Sequence, residues 1–240
     1  MEIQFTQESQ SNALNVSAYQ RIGAVCAIAG SILNFVANLL HPKDLVAYDS
    51  AAHFHTIATD SSWSLDHFLF VLVAAITLWG LIALSDSLLK TPGAFMARLA
   101  TYMAIIGTAI MVIFFVVDGF GMKAAAEVWL NAPPTEAVPA LYSALLMSKL
   151  GLGTGSAYQV WYLGLLPILY SIAMLQGGIF PRWISLIAML GGVLGMVAGA
   201  AFFIGGYSIA GLFSFIGAQA IIALWVLAAG IVLYRRTDAS

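Results

Sequence analysis

The amino-acid sequence predicts an all-α integral membrane protein, a bundle of six transmembrane helices with short extramembrane helices on the outer side. Hydrophobic residues make up 61% of the 240 residues and charged residues only 8%, whereas soluble domains contain about 45–50% and about 25%. Six apolar stretches each approach the roughly 20 residues that a helix needs to cross a bilayer core. Their unbroken apolarity favours helices, because barrel strands alternate polar and apolar residues.

The six predicted spans are separated by turns rich in proline or glycine, such as "KTPG" and "GGYS". They cover residues 22–40, 68–84, 99–117, 158–175, 183–204 and 209–234. Pro167 lies inside the fourth span and predicts a kink there. Residues 1–20 are expected to form a flexible cytoplasmic tail, residues 21–236 a single six-helix transmembrane domain, and residues 237–240 a C-terminal tail.

The basic residues are divided unequally between the two sides of this predicted bundle. Six lie on the side of the termini, namely Arg21, Lys90, Arg98, Arg182, Arg235 and Arg236, and three lie opposite, namely Lys43, Lys123 and Lys149. Because cytoplasmic loops carry an excess of Lys and Arg, both termini are predicted to be cytoplasmic, in the cell inner (plasma) membrane. Membrane lipid is the expected partner, and the formal net charge of −2 gives no indication of nucleic-acid binding.

Glycines recur every four residues in the fifth predicted span, at Gly191, Gly195 and Gly199. This spacing produces a groove in which another helix approaches closely. Two occupants fit the pattern: a neighbouring helix of the same bundle, or a second copy of the chain in a homodimer through this face.

All four histidines fall between residues 41 and 67. His41 ends the first span and His67 begins the second, so antiparallel neighbouring helices would place both at the same depth. Asn34, Asn38 and His41 share one helix face, and polar groups in lipid tend to face the bundle interior. The sequence therefore predicts an outward-facing polar pocket, whose candidate residues are Asn34, Asn38, His41, His67, Asp118, Gln159 and Tyr162.

The same histidines are candidate metal ligands. Imidazole and carboxylate bind zinc, copper, nickel and iron, and His41 and His67 are the first candidates. An extended segment would place His53 and His55 on one side, and they would join the site if the loop folds back over the pocket. A haem held between His41 and His67 is a second possibility, proton chemistry a third, and simple solvation of loop histidines a fourth. The chain has one cysteine, Cys26, and lacks the His-Glu-x-x-His motif.

The second outer connection, residues 118–157, contains helical patterns of its own. Lys123 and Glu127 are four residues apart and can pair on a continuation of the third helix. Leucines at helical spacing predict a short helix on the outer membrane surface over residues 140–150. Trp63 lies near a span end and is interpreted as an interfacial anchor.

The stretch "GGIFPRWISLIAMLGGVLGMVAG" at 177–199 resembles a recurrent signature of an uncharacterised domain-of-unknown-function family of bacterial membrane proteins. In that family a short turn followed by "PRW" opens a glycine-rich fifth helix, and a histidine near the start of the second span is similar too. The resemblance implies a six-span bacterial inner-membrane protein. It supplies no catalytic residues.

Three functions fit these patterns. The favoured one is a non-enzymatic membrane protein whose outward-facing pocket binds a small or lipophilic ligand or a metal, as a sensor or accessory subunit. The alternatives are a membrane-embedded enzyme acting on a lipid or isoprenoid, and a small transporter. Transport is disfavoured because no span carries charged residues deep in the membrane and no pair of broken helices is evident.

The predicted topology is testable with reporter fusions. Fusions after residue 50 and after residue 240 should report opposite compartments, because residue 50 lies in the first outer connection and residue 240 ends the cytoplasmic tail. Detection of both reporters in the same compartment would contradict the six-span arrangement.

Overall fold

A computed structural model describes residues 2–41, 48 and 50–238. These residues form an all-α structure without strands, and six helices are long and apolar enough to cross a membrane. The predicted fold class is therefore confirmed. The helices are α1 (Glu2–Leu40), α2 (Ala51–Thr59), α3 (Trp63–Leu88), α4 (Ala94–Val116), α5 (Lys123–Leu130), α6 (Ala137–Tyr158), α7 (Leu166–Gly177), α8 (Arg182–Gly205) and α9 (Ile209–Asp238), with π-helical segments π1 (Val117–Met122) and π2 (Gln159–Leu165).

Two of the spans are much longer than a bilayer is thick. The third runs unbroken from Ala94 to Leu130 through π1, and the fourth from Ala137 to Gly177 through π2. At 1.5 Å per residue they measure about 55 Å and about 60 Å, against roughly 30 Å of hydrocarbon. The separate surface helix predicted over 140–150 is therefore wrong, because these residues are helical but belong to the fourth span.

The ends of these long helices build a small helical cap at one end of the bundle, made of α2, α5 and the first half of α6. Its apolar core is separate from the core of the transmembrane bundle. The core of the cap consists of Phe54, Ile57, Trp63, Met122, Ala126 and Ala144. In the bundle, α1 packs against α3 and α9, α4 against α3, α6 and α7, and α8 against α7, α9 and π2.

Close helix contacts in the bundle depend on glycine. A Cβ at Gly195 would overlap the Leu163 carbonyl, and a Cβ at Gly199 would lie 2.7 Å from Val160 Cγ2, both on π2. Gly191 faces α9 instead, where a Cβ would lie 2.9 Å from Ile222 Cγ1. The glycine face thus packs against helices of the same chain, which is the first of the two occupants that the sequence left open.

The predicted kink at Pro167 takes the form of a π-helical segment. Proline has no N–H group and cannot donate to the preceding turn. The segment π2 ends at Leu165, and Pro167 lies in the first turn of α7. The irregularity in the fourth span therefore ends two residues before the proline that removes a hydrogen bond from the preceding turn.

Gly195→Ala should lower the thermal stability of the detergent-solubilised protein, because the added methyl group meets backbone that cannot yield easily. Overpacking of this kind costs about 1–3 kcal/mol. Gly217→Ala is the matched control, since a Cβ there meets nothing within 4 Å. Equal melting temperatures for the two variants would show that the Gly195 contact is not tight.

Candidate metal centre

His41, His67 and Asp118 meet where the transmembrane bundle joins the cap. His41 directly follows α1, and its backbone N–H still donates to the Ala37 carbonyl at 2.9 Å. His67 lies in the second turn of α3, and Asp118 is the second residue of π1. Three helix segments that are distant in sequence therefore supply one side chain each.

The three side chains are close enough to share an ion. One ligand atom from each lies within 4.8 Å of the other two. The His67 Nε2 and Asp118 Oδ2 atoms are 3.1 Å apart, and the centroids of the His41 and His67 rings are 4.9 Å apart. His67 and Asp118 are buried, with 1% and 6% of their surface exposed, whereas His41 is half-buried.

The hydrogen bonds of His67 determine what its second nitrogen can do. Nδ1 lies 2.7 Å from the Trp63 carbonyl, which can only accept, so Nδ1 carries a proton and donates it. In the neutral ring Nε2 is then an unprotonated lone pair that faces the Asp118 carboxylate, another acceptor. Two acceptors 3.1 Å apart require a cation between them, either a proton or a metal ion.

The Asp118 residue is held by further hydrogen bonds. The Tyr48 hydroxyl donates to its Oδ1 at 2.6 Å, and the Trp63 indole donates to its backbone carbonyl at 2.9 Å. Burial raises the pKa of Tyr48 well above its ordinary value, and the neighbouring Asp118 carboxylate raises it further. Tyr48 is therefore protonated at neutral pH and acts as a donor to the carboxylate.

The position of Asp118 depends on the π-helical turn and on Gly119. A Cβ at residue 119 would overlap the His67 side chain, so glycine lets π1 approach the histidine closely. Ser64 also donates to the Gly119 carbonyl at 2.9 Å. π-Helical turns occur frequently at functional sites, since they displace a side chain from the regular helical register.

Aromatic rings surround the histidines. The Trp63 ring lies 4.8 Å from that of His67 and 5.4 Å from that of His41. Phe70 and Phe115 stack on each other at 4.6 Å. Phe70 lies 6.0 Å from His41 and 6.5 Å from His67, and Phe115 lies 6.0 Å from His67. These rings exclude water and lower the local dielectric, which strengthens any electrostatic interaction inside.

The extended segment predicted around His53 and His55 is wrong. Both residues lie in α2, which begins after the N-cap Ser50, whose hydroxyl accepts from the His53 backbone at 3.1 Å. Because helical residues two apart point in different directions, His53 is buried and His55 is exposed. The His53 ring packs 5.0 Å from Tyr48 and 6.1 Å from Trp63, beside the group rather than in it.

The other four residues predicted for the pocket lie further inside the bundle than His41, His67 and Asp118. Asn38 donates to the Asn34 carbonyl at 2.8 Å. Asn34 and Tyr162 line a cavity of about 30 Å³ inside the bundle, together with Ser31, Thr77, Tyr158 and Gln219. Gln159 is buried in π2. The polar face predicted on α1 therefore leads from His41 to an uncharged cavity that has room for about one water molecule.

Lys123, the first residue of α5, fastens α2 to the part of the third span that extends into the cap. Its ammonium group donates to the carbonyls of Ile57, Ala58 and Asp60, each at 2.9 Å, and so satisfies the C-terminal end of α2. Lys123 also pairs with Glu127 at 3.2 Å, as the four-residue spacing predicted. Burial raises the pKa of Asp60, but its neighbours, chiefly Ser62 through hydrogen bonds, together lower it by more, so the pKa of Asp60 lies below its ordinary value.

Sequence reasoning did not identify Tyr48, Gly119 or the role of Trp63 in this centre. Trp63 begins the second span, as predicted, but it is 2% exposed and hydrogen-bonded to both His67 and Asp118, so its ring packs inside the protein. The sequence could have predicted that Trp63 contacts His67, because residues four apart share a helix face. Tyr48 carried no such signal, since a long-range contact alone brings it to Asp118.

Comparisons with protein-family models, with curated proteins and with solved structures gave no match to this chain.

Lys123→Met should loosen the cap, because the thioether keeps the apolar stem of the lysine but removes its three donors to α2. Hydrogen bonds to a charged group contribute about 1.5–3 kcal/mol, so amide exchange in residues 51–60 should accelerate by about tenfold or more. Glu127→Gln is the control, since an exposed pair contributes only about 0.3–0.5 kcal/mol. Similar exchange in both variants would contradict the clamping role.

Proposed function

We propose that this membrane protein binds one divalent transition-metal ion at the junction of bundle and cap, with His41, His67 and Asp118 as ligands. The observation that carries the proposal is the pair of facing acceptors, His67 Nε2 and Asp118 Oδ2, at 3.1 Å in a buried place. A metal ion satisfies both at once and neutralises the carboxylate, which is costly to bury as an isolated charge.

The distances suit a small divalent ion. Zinc binds imidazole nitrogen and carboxylate oxygen at about 2.0–2.2 Å, so tetrahedral ligands lie about 3.3 Å apart. The His67–Asp118 separation of 3.1 Å is close to this value. The largest separation in the group is at most 4.8 Å, so bound ligands would lie about 1.5 Å closer than they do here.

The surroundings have the features of a metal site as well. Metal-bound histidines usually donate their other N–H group to a carbonyl or carboxylate, and ligating carboxylates are themselves hydrogen-bonded. His67 donates to the Trp63 carbonyl at 2.7 Å, and Asp118 accepts from Tyr48 at 2.6 Å. The Trp63 carbonyl, as an acceptor, therefore fixes the histidine tautomer, and the Tyr48 hydroxyl, as a donor, fixes the orientation of the carboxylate before any ion arrives.

Haem does not fit the same residues. Axial histidines bind iron from opposite faces of a porphyrin, so the ring system must lie between them. The His41 and His67 rings contact each other directly, with centroids 4.9 Å apart, and Trp63 packs against both. Two imidazoles that lie side by side are suited to neighbouring positions on one bare ion.

A sensor or accessory subunit is the role that this position supports best. The ligands come from the end of α1, the start of α3 and the π1 turn. An ion would therefore join three membrane helices and the base of the cap, and its binding free energy would stabilise one arrangement of them. Ligand occupancy is in this way converted into a change in helix packing, which a partner protein can detect.

The test is metal titration of the purified, chelator-stripped protein in detergent, with elemental analysis. The wild type should bind about one Zn²⁺ or Co²⁺ per chain. His41→Ala, His67→Ala and Asp118→Asn should each weaken binding by more than about tenfold, since even outer-shell losses cost 10–100-fold.

The exposed His55 provides the control, and His55→Ala should retain wild-type affinity. Size-exclusion profiles and helical circular dichroism identify variants that fail to fold. A folded wild type that binds neither ion, or folded ligand variants with unchanged affinity, would refute the proposed site.

A further inference from the structure

The two oxygens of the Asp118 carboxylate have different neighbours. Oδ2 faces His67 Nε2 at 3.1 Å, on the side of the proposed ion. Oδ1 accepts a short hydrogen bond of 2.6 Å from the Tyr48 hydroxyl. A carboxylate oxygen that already accepts so short a bond is a poor second donor to an ion on the other side.

Tyr48 is held in this position by groups from other parts of the chain. Ser148 of α6 donates to the Tyr48 backbone carbonyl at 3.1 Å. The phenol ring packs against His53 of α2 at 5.0 Å and stacks on Tyr207, between α8 and α9, at 6.4 Å. A Cβ at Gly151 would lie 2.7 Å from the hydroxyl oxygen, so glycine at 151 leaves the space that the hydroxyl occupies.

We infer that Tyr48 is a specificity-determining residue that restricts Asp118 to one metal-binding oxygen and thereby selects ions of low coordination number, such as Zn²⁺ and Co²⁺, against Mn²⁺ and Ca²⁺. The inference rests on the proposed metal site and states which class of ion that site accepts.

Coordination chemistry gives the reason. Two imidazoles and one carboxylate oxygen make three donors, the number typical of a four-coordinate zinc site with one further position. Calcium needs six to eight oxygen donors and often binds carboxylates through both oxygens, and manganese prefers oxygen-rich octahedral sites. Because the Tyr48 hydroxyl is hydrogen-bonded to Oδ1, this oxygen is not free to bind an ion. Calcium and manganese need such an additional oxygen ligand, whereas zinc does not.

Nitrogen-containing sites favour Zn²⁺ over Mn²⁺ with or without Tyr48. The test is therefore the change that a substitution causes in the ratio of the Mn²⁺ to the Zn²⁺ dissociation constant. Tyr48→Phe removes only the hydroxyl and keeps the ring contacts with His53 and Tyr207. The ratio of the Mn²⁺ to the Zn²⁺ dissociation constant should fall by about tenfold or more. Both ions lose the outer-shell bond, a loss that costs about 10–100-fold, but only manganese gains the second carboxylate oxygen, so its affinity falls less than that of zinc.

Gly151→Ala is an independent variant that displaces the hydroxyl while the tyrosine remains, and it should lower the ratio in the same direction. Gly153→Ala is its matched control on the same helix, because a Cβ there meets nothing within 4 Å, and it should keep the wild-type ratio. Folding of each variant is checked by its size-exclusion profile.

The outcomes separate the two claims. An unchanged ratio in both folded variants, Tyr48→Phe and Gly151→Ala, overturns the role of Tyr48 while the metal site stands. A wild type that binds neither ion overturns the metal site itself, and the inference with it. A lowered ratio in both variants, with Gly153→Ala unchanged, supports the inference.

Discussion

A carboxylate buried at the end of a membrane bundle must be neutralised or fully hydrogen-bonded, since an isolated buried charge is unfavourable by several kcal/mol or more. In this protein the Asp118 carboxylate meets that requirement with a cation, either a proton or a metal ion, between its Oδ2 atom and His67 Nε2. Tyr48 binds one oxygen, His67 faces the other, and Trp63 binds the backbone carbonyl of the same residue. The arrangement of α3, the cap and the π1 turn around it follows from these contacts.

The π1 turn links the two apolar cores of the molecule. Met122, the last residue of π1, is fully buried in the core of the cap. Phe115, two residues before π1 begins, is buried in the core of the bundle. Asp118 lies within this turn, and a side chain at Gly119 would separate π1 from α3. One irregular turn therefore positions the acid and carries the third span into the cap.

Hydropathy predicted the six spans because apolar length is a local property of the chain. The convergence of His41 and His67 also followed from local information, since both lie at the ends of consecutive antiparallel helices. The carboxylate and its neighbours were harder to predict. Tyr48 reaches Asp118 across 70 residues, and the helical state of His53 and His55 depends on an N-cap and on Lys123, not on alternation of polar residues.

The polar groups inside the bundle are neutral, whereas the charged Asp118 lies at its junction with the cap. This difference bears on the choice between metal binding and metal transport. The polar residues that line the inner cavity are all neutral, and α3 carries no charged side chain between His67 and Asp86. A divalent ion that left His41, His67 and Asp118 for the cavity would lose its only anionic ligand on entering the region where a charge is most expensive. The same geometry that would hold such an ion at the cap thus opposes its movement into the membrane, and retention at the junction is the outcome that this distribution of charge favours.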